Sequence, residues 1–294
     1  MIKDVLDALR QLESCDFRVL GAVERGMARF EYVPLEEIAR LAGLDSERAR
    51  ALTKKLNSLG LLQRWIGSYE GYVLTSRGYD CLALNALVKR NVLKSISASP
   101  IGRGKESDVY QGITPAGRFV AVKFHRVGRT SFRKTRRYRT YIGERQHISW
   151  LYQSRLAARN EFEALRILYE AGVSVPGPVD WNRHVVVSEY IDGVELSESP
   201  VLSDPRSFLE SLLNEIGKAY TAGVVHADLS EYNVMVSDEK PVLFDWPQWV
   251  SSTHPSALFY LKRDIENLLK FFKRRYGEVY DTSKALERVI KGGV

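Results

Sequence analysis

The chain has 294 residues, enough for one large domain or two smaller ones, and its 45% hydrophobic content is ordinary for a globular protein. Its formal net charge of +7 favours an anionic partner, such as a nucleotide or a nucleic acid. The chain has no apolar run long enough to span a membrane, its start is not a secretion signal, and its two distant cysteines favour free thiols, so we expect a cytoplasmic protein.

The sequence pattern of residues 1–90 predicts a small helical module with one β-hairpin. Two helices separated by Gly43 come before two short strands that turn at Gly67-Ser68. This is the order of a winged helix, whose second helix enters a nucleic-acid groove in many such folds. The exposed face of that helix carries four basic residues: Arg48, Arg50, Lys54 and Lys55. A protein-docking or purely structural module explains the pattern equally well.

A second domain begins after the polar junction 91–99. Two strand-like runs flank a loop with two glycines, which let a backbone approach an anion closely. The residues that we expect to contact phosphate are Gly102, Gly104, Lys105, Glu106 and Ser107. The loop is not a Walker motif, and on its own it favours a plain hairpin turn.

A lysine in the middle of an apolar strand is the next signal. Lys123 lies within Val-Ala-Val-Lys-Phe, where a lysine is rare unless an acidic side chain pairs with it. Glu161 and Glu163, on the helix predicted from about residue 149 to residue 171, are the candidates. Glu161 shares its helical face with leucines and is expected to point inward, although either glutamate also fits a surface ion pair.

Residues 126–145 form a basic tract, with eight Lys or Arg residues and one acidic residue. So dense a run of like charge repels itself and gains from an anion, which favours a flexible arm for RNA phosphates over a solvated loop without a partner. Ser131 within the tract is a candidate autophosphorylation site.

The segment VVHADLSEYNVMV places polar residues in a loop between two valine runs. Asp228 and Asn233 have the Asp-x4-Asn spacing of phosphoryl-transfer enzymes, in which the aspartate accepts or orients a hydroxyl proton and the asparagine binds a metal. Asp245 follows another apolar strand and adds a hard oxygen ligand for Mg²⁺ or Mn²⁺. His226 is interpreted as a brace for the loop, because a histidine among valines is more often a core residue.

A connector, Glu189-Tyr190-Ile191, follows a buried strand, and the backbone groups of Glu189 and Ile191 are expected to pair with an adenine edge. No single feature is specific. Their order along the chain, from glycine loop to strand aspartate, makes a chance match of all of them improbable.

Five segments together resemble one family: GRGKES (102–107), VKFHRVGRTSF (122–132), ARNEFEAL (158–165), HADLSEYN (226–233) and FDWPQ (244–248). On these residues the chain is similar to the RIO family of atypical protein kinases, and within it to the second, winged-helix-containing subfamily. The resemblance covers nearly the whole chain, and the short carboxyl end is expected to be of the archaeal type.

The resemblance implies ATP binding with Mg²⁺ or Mn²⁺, serine autophosphorylation and a role in maturation of the small ribosomal subunit. It makes Asp228 the catalytic aspartate and Lys123 the phosphate lysine. It makes Asp245 a metal ligand that itself accepts phosphate, as in an ATPase switch. Pre-ribosomal RNA would bind the winged helix and the basic tract, and we expect a monomer. Ala227 and Trp246 depart from the glycine and phenylalanine usual in the family.

The predicted fold class is α+β, an N-terminal winged helix followed by a trimmed bilobal protein-kinase-like domain. The expected boundaries are 1–90 for the winged helix, 91–191 for the N-lobe and 192–294 for the C-lobe. An alternative function is a small-molecule phosphotransferase of the aminoglycoside type, which shares the His-x-Asp-x4-Asn loop but has no use for a winged helix. A nucleic-acid-binding scaffold is a third possibility, and the intact set of catalytic residues argues against it.

Overall fold

The computed structural model describes residues 2–127, 150–198 and 202–291. The helices within these residues are α1 Ile2–Leu9, α2 Ser14–Gly26, α3 Leu35–Ala42, α4 Ser46–Ser58, α5 Ser76–Lys89, α6 Trp150–Glu170, α7 Pro205–Thr221, α8 Ala257–Tyr276 and α9 Thr282–Ile290. The strands are β1 Val33–Pro34, β2 Leu62–Ile66, β3 Glu70–Leu74, β4 Ser95–Arg103, β5 Ser107–Ile113, β6 Phe119–His125, β7 Pro178–Asn182, β8 Val185–Glu189, β9 Val194–Glu195, β10 Val224–Val225, β11 Val234–Ser237, β12 Lys240–Leu243 and β13 Val250–Ser251.

The mixture of helices and sheets confirms the predicted α+β class. The strands form sheets in the orders β1-β3-β2, β4-β5-β6-β8-β7, β12-β11-β9 and β10-β13. The chain divides into two compact units. The first consists of Met1–Arg118, Lys123–Arg155 and Asn182–Val185, and the second of Phe119–Val122, Leu156–Trp181 and Val186–Val294. The boundaries expected at residues 90 and 191 stay predictions.

The N-terminal part of the first unit has the helix, helix, wing order of a winged helix. Helix α3 ends at Gly43, whose φ of 61° is a left-handed conformation that glycine adopts at little cost. Asp45 caps α4, because its side chain accepts a hydrogen bond from the Arg48 backbone N–H at 2.8 Å. Strands β2 and β3 then pair antiparallel across the predicted turn. Thr75 caps α5, since its hydroxyl accepts from the Gly78 N–H.

The core of the second unit is built by apolar residues of the helices α6, α7, α8 and α9 together with those of β10 and β11, the strands that flank residues 226–233. Trp246 is 1% exposed within this core. Local signals account for two of the helix ends. Asp204 caps α7 ahead of Pro205, and Gly277 ends α8 with a φ of 73°.

The expectation of two free cysteines is confirmed, since neither Cys15 nor Cys81 forms a disulfide. Cys81 is buried, and burial raises the pKa of its thiol to about 12, so it is an inert core residue. Cys15 is only partly buried. Among the helices that the structure describes, none combines the length and the apolar character needed to cross a lipid bilayer.

Candidate active site

The glycine loop lies in the first unit, at the turn of the β4–β5 hairpin. The Gly104 N–H donates to the Ser107 carbonyl at 2.8 Å and closes the turn. Gly102 and Gly104 both have negative φ angles. A Cβ on Gly102 would make an ordinary contact at 3.8 Å, and one on Gly104 would lie 3.2 Å from the Ser107 hydroxyl. Neither position has a left-handed backbone that requires glycine, although the 3.2 Å approach at Gly104 is tighter than an ordinary contact. The lack of side chains at both positions leaves the backbone of the turn open to close approach.

Lys123 lies on β6 with the side-chain alternation that the sequence predicts. Val122 and Phe124, the neighbours on either side, are fully buried, and Lys123 is only partly buried on the opposite face. On α6, Glu161 is 4% exposed and Glu163 is exposed, which confirms that Glu161 is the inward-facing residue. Lys123 and Glu161 belong to different units, and their pairing stays a prediction.

Asp228, Asn233 and Asp245 are brought together in the second unit. The Asn233 side-chain amide donates to the Asp228 carbonyl at 2.9 Å, so the loop closes on itself across the Asp-x4-Asn spacing. The Phe244 N–H donates to the Asn233 carbonyl at 3.1 Å, and β11 pairs with β12 directly beyond. These two bonds hold Asn233 between the catalytic loop and the strand end that carries Asp245.

The two aspartates influence each other electrostatically. Burial raises the pKa of Asp228, the Asp245 charge raises it further, and the Arg263 guanidinium opposes both effects. A carboxylate whose pKa is raised towards neutrality is a better proton acceptor for a hydroxyl group. The environment of Asp228 therefore suits the role of general base.

Two residues of this region have left-handed backbones without being glycine. Ala227 has a φ of 63° and Asp245 a φ of 68°. Such conformations cost about 1–3 kcal/mol each and persist where the surroundings hold them. Glycine would adopt the Ala227 conformation at less cost, so the loop holds this alanine under strain.

His226 braces the loop, as the sequence predicts. A hydrogen bond of 3.1 Å joins its Nε2 to the Phe244 carbonyl, and its ring packs on Trp246 with the centroids 4.4 Å apart. Trp246 is almost completely buried beneath the histidine. The indole therefore belongs to the core of the unit.

Helix α8 supplies three side chains that the sequence analysis missed. Asp264 accepts from the Ala227 N–H at 2.8 Å, Arg263 donates to the Ala227 carbonyl, and Asn267 donates to the Leu229 carbonyl at 3.3 Å. All three hold the backbone on either side of Asp228. A signal existed in the sequence, because Asp264 shares the apolar face of α8 with Leu261 and Leu268, where a lone acid requires a reason.

Asp264 is 1% exposed, and its burial raises the pKa of the carboxyl to about 6. The Arg263 charge and hydrogen bonds from the Ala227 and Leu229 N–H groups oppose that shift. The carboxyl is thus mostly ionised at neutral pH, in the form that accepts both hydrogen bonds.

In the connector Glu189-Tyr190-Ile191, some hydrogen-bonding groups of Glu189 are already bonded within the protein. The Glu189 N–H donates to the Gly177 carbonyl at 2.8 Å, and the Gly177 N–H donates to the Glu189 carboxylate at 3.2 Å. A Cβ on Gly177 would lie 2.5 Å from that carboxylate, so a side chain there would displace the Glu189 carboxyl group. The Glu189 amide is therefore engaged, which narrows the adenine prediction to the Glu189 carbonyl and the Ile191 N–H.

Asn233 and Asp245 fit a magnesium site of the kind completed by a nucleotide. Mg²⁺ is commonly held by one or two protein oxygens together with substrate phosphates and water. The described residues contain no group of three or more His, Cys, Asp or Glu side chains that could hold a metal by themselves. A site made by one amide oxygen and one carboxylate agrees with that finding.

Family models match most of the chain in two segments. Residues 108–285 match the RIO domain, and residues 9–90 match the model described as Rio2, N-terminal. The RIO-type serine/threonine-protein kinase Rio2 of Methanocaldococcus jannaschii is 41% identical over 275 residues, which cover 90% of this chain and all of that relative. The chain belongs to the RIO family, as a member of the Rio2 type.

Other Rio2 proteins extend the likeness. The serine/threonine-protein kinase RIO2 of Caenorhabditis elegans is 43% identical over 91% of this chain, which spans about half (51%) of that relative's length. The crystal structure of the Rio2 kinase-ADP/Mg²⁺-phosphoaspartate complex from Chaetomium thermophilum superposes with a TM-score of 0.83 at 32% identity. That match covers 97% of this chain and 92% of the other. The expected family, with its N-terminal Rio2 domain ahead of a kinase-like RIO domain, is confirmed.

Proposed function

We propose that this chain is an ATP-dependent atypical serine/threonine kinase and ATPase that phosphorylates itself. The observation that carries the proposal is the bonded arrangement of Asp228, Asn233 and Asp245, in which two acids and an amide lie within one strained, braced loop region. Membership of the Rio2 type favours this function over an aminoglycoside-type phosphotransferase or a scaffold without catalysis.

The phosphate contacts are assigned to the first unit. The backbone N–H groups of the loop 102–107 and the Lys123 ammonium would contact the phosphates of ATP and balance their negative charge. Gly102, Gly104 and Ser107 leave that backbone approachable, while Lys105 and Glu106 flank it. Glu161, the buried acid of α6, is the proposed partner that fixes Lys123. The adenine would pair with the Glu189 carbonyl and the Ile191 N–H.

The proton chemistry is assigned to Asp228. Its raised pKa makes it a better acceptor for the proton of a serine hydroxyl. The serine oxygen would bond to the γ-phosphorus while the bond from that phosphorus to the β,γ-bridging oxygen breaks and ADP leaves. Asn233 and Asp245 would hold Mg²⁺ or Mn²⁺, which when bound neutralises phosphate charge. The backbone bonds from α8 keep Asp228 in place during the transfer.

Asp245 is also proposed as a phosphate acceptor, in keeping with the phosphoaspartate of the Chaetomium thermophilum Rio2 complex. An Asp245 oxygen would form a bond to the γ-phosphorus while the bond from that phosphorus to the β,γ-bridging oxygen breaks and ADP leaves. Water would then hydrolyse the acyl phosphate, so that one ATP yields ADP and inorganic phosphate. This cycle is an ATPase switch.

The test is incubation with γ-labelled ATP and Mg²⁺ or Mn²⁺, with wild type, Asp245→Asn and Asp238→Asn side by side. Asp238 is an exposed acid in the β11–β12 turn, also with positive φ, and serves as the matched control. We expect label on wild type and Asp238→Asn, and loss of label with Asp245→Asn. Label released by hydroxylamine indicates acyl phosphate, and acid-stable label indicates serine phosphate. Absence of label and of ATP turnover in wild type would contradict the proposal.

We propose a pre-ribosomal small subunit, through its RNA, as the macromolecular partner. The support is the chain's net charge of +7 and the basic tract 126–145, of which residues 128–145 and Ser131 lie outside the described residues. The expectation that Arg126 contributes to an accessible arm is wrong, because its side chain is 12% exposed and paired with Asp80. A cytoplasmic monomer is the proposed working form.

The second helix of the winged helix offers less free positive charge than the sequence suggests. Lys55 pairs with the buried Asp16 at 2.6 Å, and Arg50 pairs with Glu70 at 2.8 Å. Arg48 is exposed, and its contact with the neutral Cys15 sulfur at 3.6 Å leaves its charge in place. Lys54 is also exposed, and Arg48 and Lys54 are therefore the proposed phosphate contacts of this helix.

A further inference from the structure

A buried charged cluster lies in the first unit, away from the residues assigned to chemistry. Arg126 follows β6 and makes two parallel hydrogen bonds to the Asp80 carboxylate, at 2.6 and 2.8 Å. Its Nε lies 3.6 Å from a carboxylate oxygen of Asp108. The ring of His184 reaches the same Asp80 carboxylate at 2.8 Å. All four side chains are at most 12% exposed.

The cluster joins the winged-helix segment to the glycine loop. Asp80 lies on α5, within residues 9–90 that match the Rio2 N-terminal model. Asp108 is the residue that follows Ser107 at the end of the loop. The Arg126 backbone N–H donates to the Glu106 carbonyl within the loop, at 2.6 Å. One residue thus holds the loop by its backbone and α5 by its side chain.

The same residue fixes the end of the strand that carries Lys123. Arg126 lies three positions after Lys123, and between them the His125 N–H donates to the His184 carbonyl at 2.8 Å. His184 is itself stacked on Tyr79 of α5, with the ring centroids 4.7 Å apart. Both elements assigned to phosphate, the loop and the lysine strand, are therefore tied to α5.

Buried ion pairs of this kind usually add little to the free energy of unfolding. A buried ion pair roughly repays its own desolvation, and apolar side chains of similar volume often stabilise a fold equally well. Its distinctive contribution is a fixed geometry, because the planar guanidinium and a carboxylate bond in one orientation. Burial by itself raises the pKa of Asp80, but the Arg126 charge and the hydrogen bonds from His184 and Arg126 outweigh it and lower the pKa, so the carboxylate is charged at neutral pH.

We propose that Asp80 and Arg126 are positioning residues for ATP, which hold the glycine loop and the Lys123 strand in their binding geometry from the winged-helix side. The inference rests on the proposed ATP-dependent function. It gives the winged helix a second role beside RNA contact, since any displacement of α5 changes the support of the phosphate-binding loop.

A second ion pair provides a matched control. Glu24 on α2 receives two hydrogen bonds from Arg183, at 2.9 and 2.6 Å, and both side chains are about one-fifth exposed. This pair also joins the N-terminal helices to the β7–β8 turn. The hydrogen bonds of its side chains go to groups outside the glycine loop and β6. Removal of the Glu24–Arg183 ion pair therefore measures the loss of stability from breaking an ion pair, with no direct change in the contacts of the glycine loop.

The experiment compares wild type, Asp80→Asn, Arg126→Lys and Glu24→Gln as full-length chains. Five quantities are measured for each: the melting temperature, the Kd for ATP with Mg²⁺, the KM for ATP, kcat, and the rate of hydrogen exchange of peptides that cover residues 103–110. Asp80→Asn preserves the shape and removes the charge. Arg126→Lys preserves the charge and removes the double hydrogen bond. If Asp80→Asn does not fold, Arg126→Lys by itself tests the positioning role.

We expect Asp80→Asn and Arg126→Lys to raise the Kd and KM for ATP about tenfold with a smaller change in kcat, and to speed exchange in the loop. Glu24→Gln should lower the melting temperature while leaving the Kd for ATP within about twofold of wild type. Unchanged ATP affinity in the first two variants, or an equal loss in Glu24→Gln, overturns the positioning role. If wild type binds no ATP, the proposed function is contradicted instead. Hydrogen exchange of residues 103–110 then still tests whether Asp80 and Arg126 hold the glycine loop.

Discussion

Asp228 and Asp245 lie in one small region but have different environments, and we propose different tasks for their two carboxyl groups. Asp228 lies on the catalytic loop, where burial and the charge of Asp245 favour its protonated form. Asp245 lies at a strand end with a strained, left-handed backbone that aims its side chain differently from a regular strand residue. The first arrangement suits proton transfer, and the second suits a ligand position that only a particular backbone can reach.

Replacement of Asp228 by alanine separates these tasks. We expect phosphoryl transfer to fall by about 10²–10⁴-fold, because the proton acceptor is lost. The Kd for ATP should stay within about threefold, since the phosphate contacts lie on other residues. Labelled-ATP transfer and equilibrium ATP binding measure the two quantities. Equal losses in both would contradict the assignment of Asp228 as a base.

Asp264 provides a pH-dependent test of the support for the loop. Its folded-state pKa of about 6 exceeds the ordinary value of 3.8, so the native state holds its proton more tightly than the unfolded state. The resulting stabilisation is fully present below pH 3.8 and is lost as the pH rises through about 6. The loss is on the order of 3 kcal/mol.

The measurement compares the free energy of unfolding of wild type and Asp264→Asn from pH 4 to pH 8. We expect wild type to lose stability relative to the variant between pH 4 and pH 6.5, and the difference to stay constant above pH 7. Groups common to both proteins cancel in this difference. A difference that does not vary with pH would show that burial does not perturb Asp264.

In helix α4, ion pairs within the protein reduce the number of basic side chains that are available to an anionic partner. Its sequence presents four basic residues, but the Asp16 carboxylate that binds Lys55 is 1% exposed, so this lysine stabilises the fold. Lys54, its neighbour, is exposed. Adjacent lysines therefore have separate roles, which charge counting along the sequence cannot distinguish.

Single substitutions of these lysines test that division. Lys54→Ala should weaken RNA binding and reduce the slope of log affinity against log salt by about one, without loss of stability. Lys55→Ala should lower the free energy of unfolding by about 1–2 kcal/mol, because it leaves a buried carboxylate without its cation. A chain that lacks residues 128–144 should show a larger reduction of the same salt slope. An unchanged slope in both Lys54→Ala and the deletion would remove these regions from RNA binding.

Local signals in the sequence predicted the elements of this chain well. Gly43 and the turn at Gly67-Ser68 act within a few residues, and the structure has the helix end and the hairpin that they indicate. The spacing of Asp228 and Asn233 likewise lies within one loop. Such features depend on neighbours in the chain, so the sequence carries them directly.

Long-range pairings were not predictable in the same way. Arg126 and Asp80 are separated by 46 positions, and Arg126 reads as the first residue of a basic tract until the structure places it beside that acid. Asp264 similarly reaches a backbone group 37 positions away. No local pattern states which acid a given cation meets, because that choice follows from the packing of distant elements.

These long-range pairs predict that residues 91–294 depend on residues 1–90 for stability. A chain of residues 91–294 would leave Arg126 without Asp80 and Arg183 without Glu24. Removing one partner of a buried ion pair costs about 3–5 kcal/mol, and less for the more exposed Arg183 pair, against a typical total stability of about 5–15 kcal/mol. We therefore expect the shortened chain to melt far below the full chain and to bind ATP weakly.

A second shortened chain, with Arg126→Met and Arg183→Met, distinguishes lost charge pairing from lost apolar contact. Methionine has a similar length and needs no counter-ion, so part of the stability should return. ATP affinity should not return with it, because the shortened chain lacks α5 and the glycine loop therefore still lacks its support from Asp80. The measurements are the melting temperature and the Kd for ATP of the full chain and of both shortened chains. A shortened chain that melts within a few degrees of the full chain, or recovery of ATP binding together with stability, would show that residues 1–90 do not set the geometry of the phosphate loop.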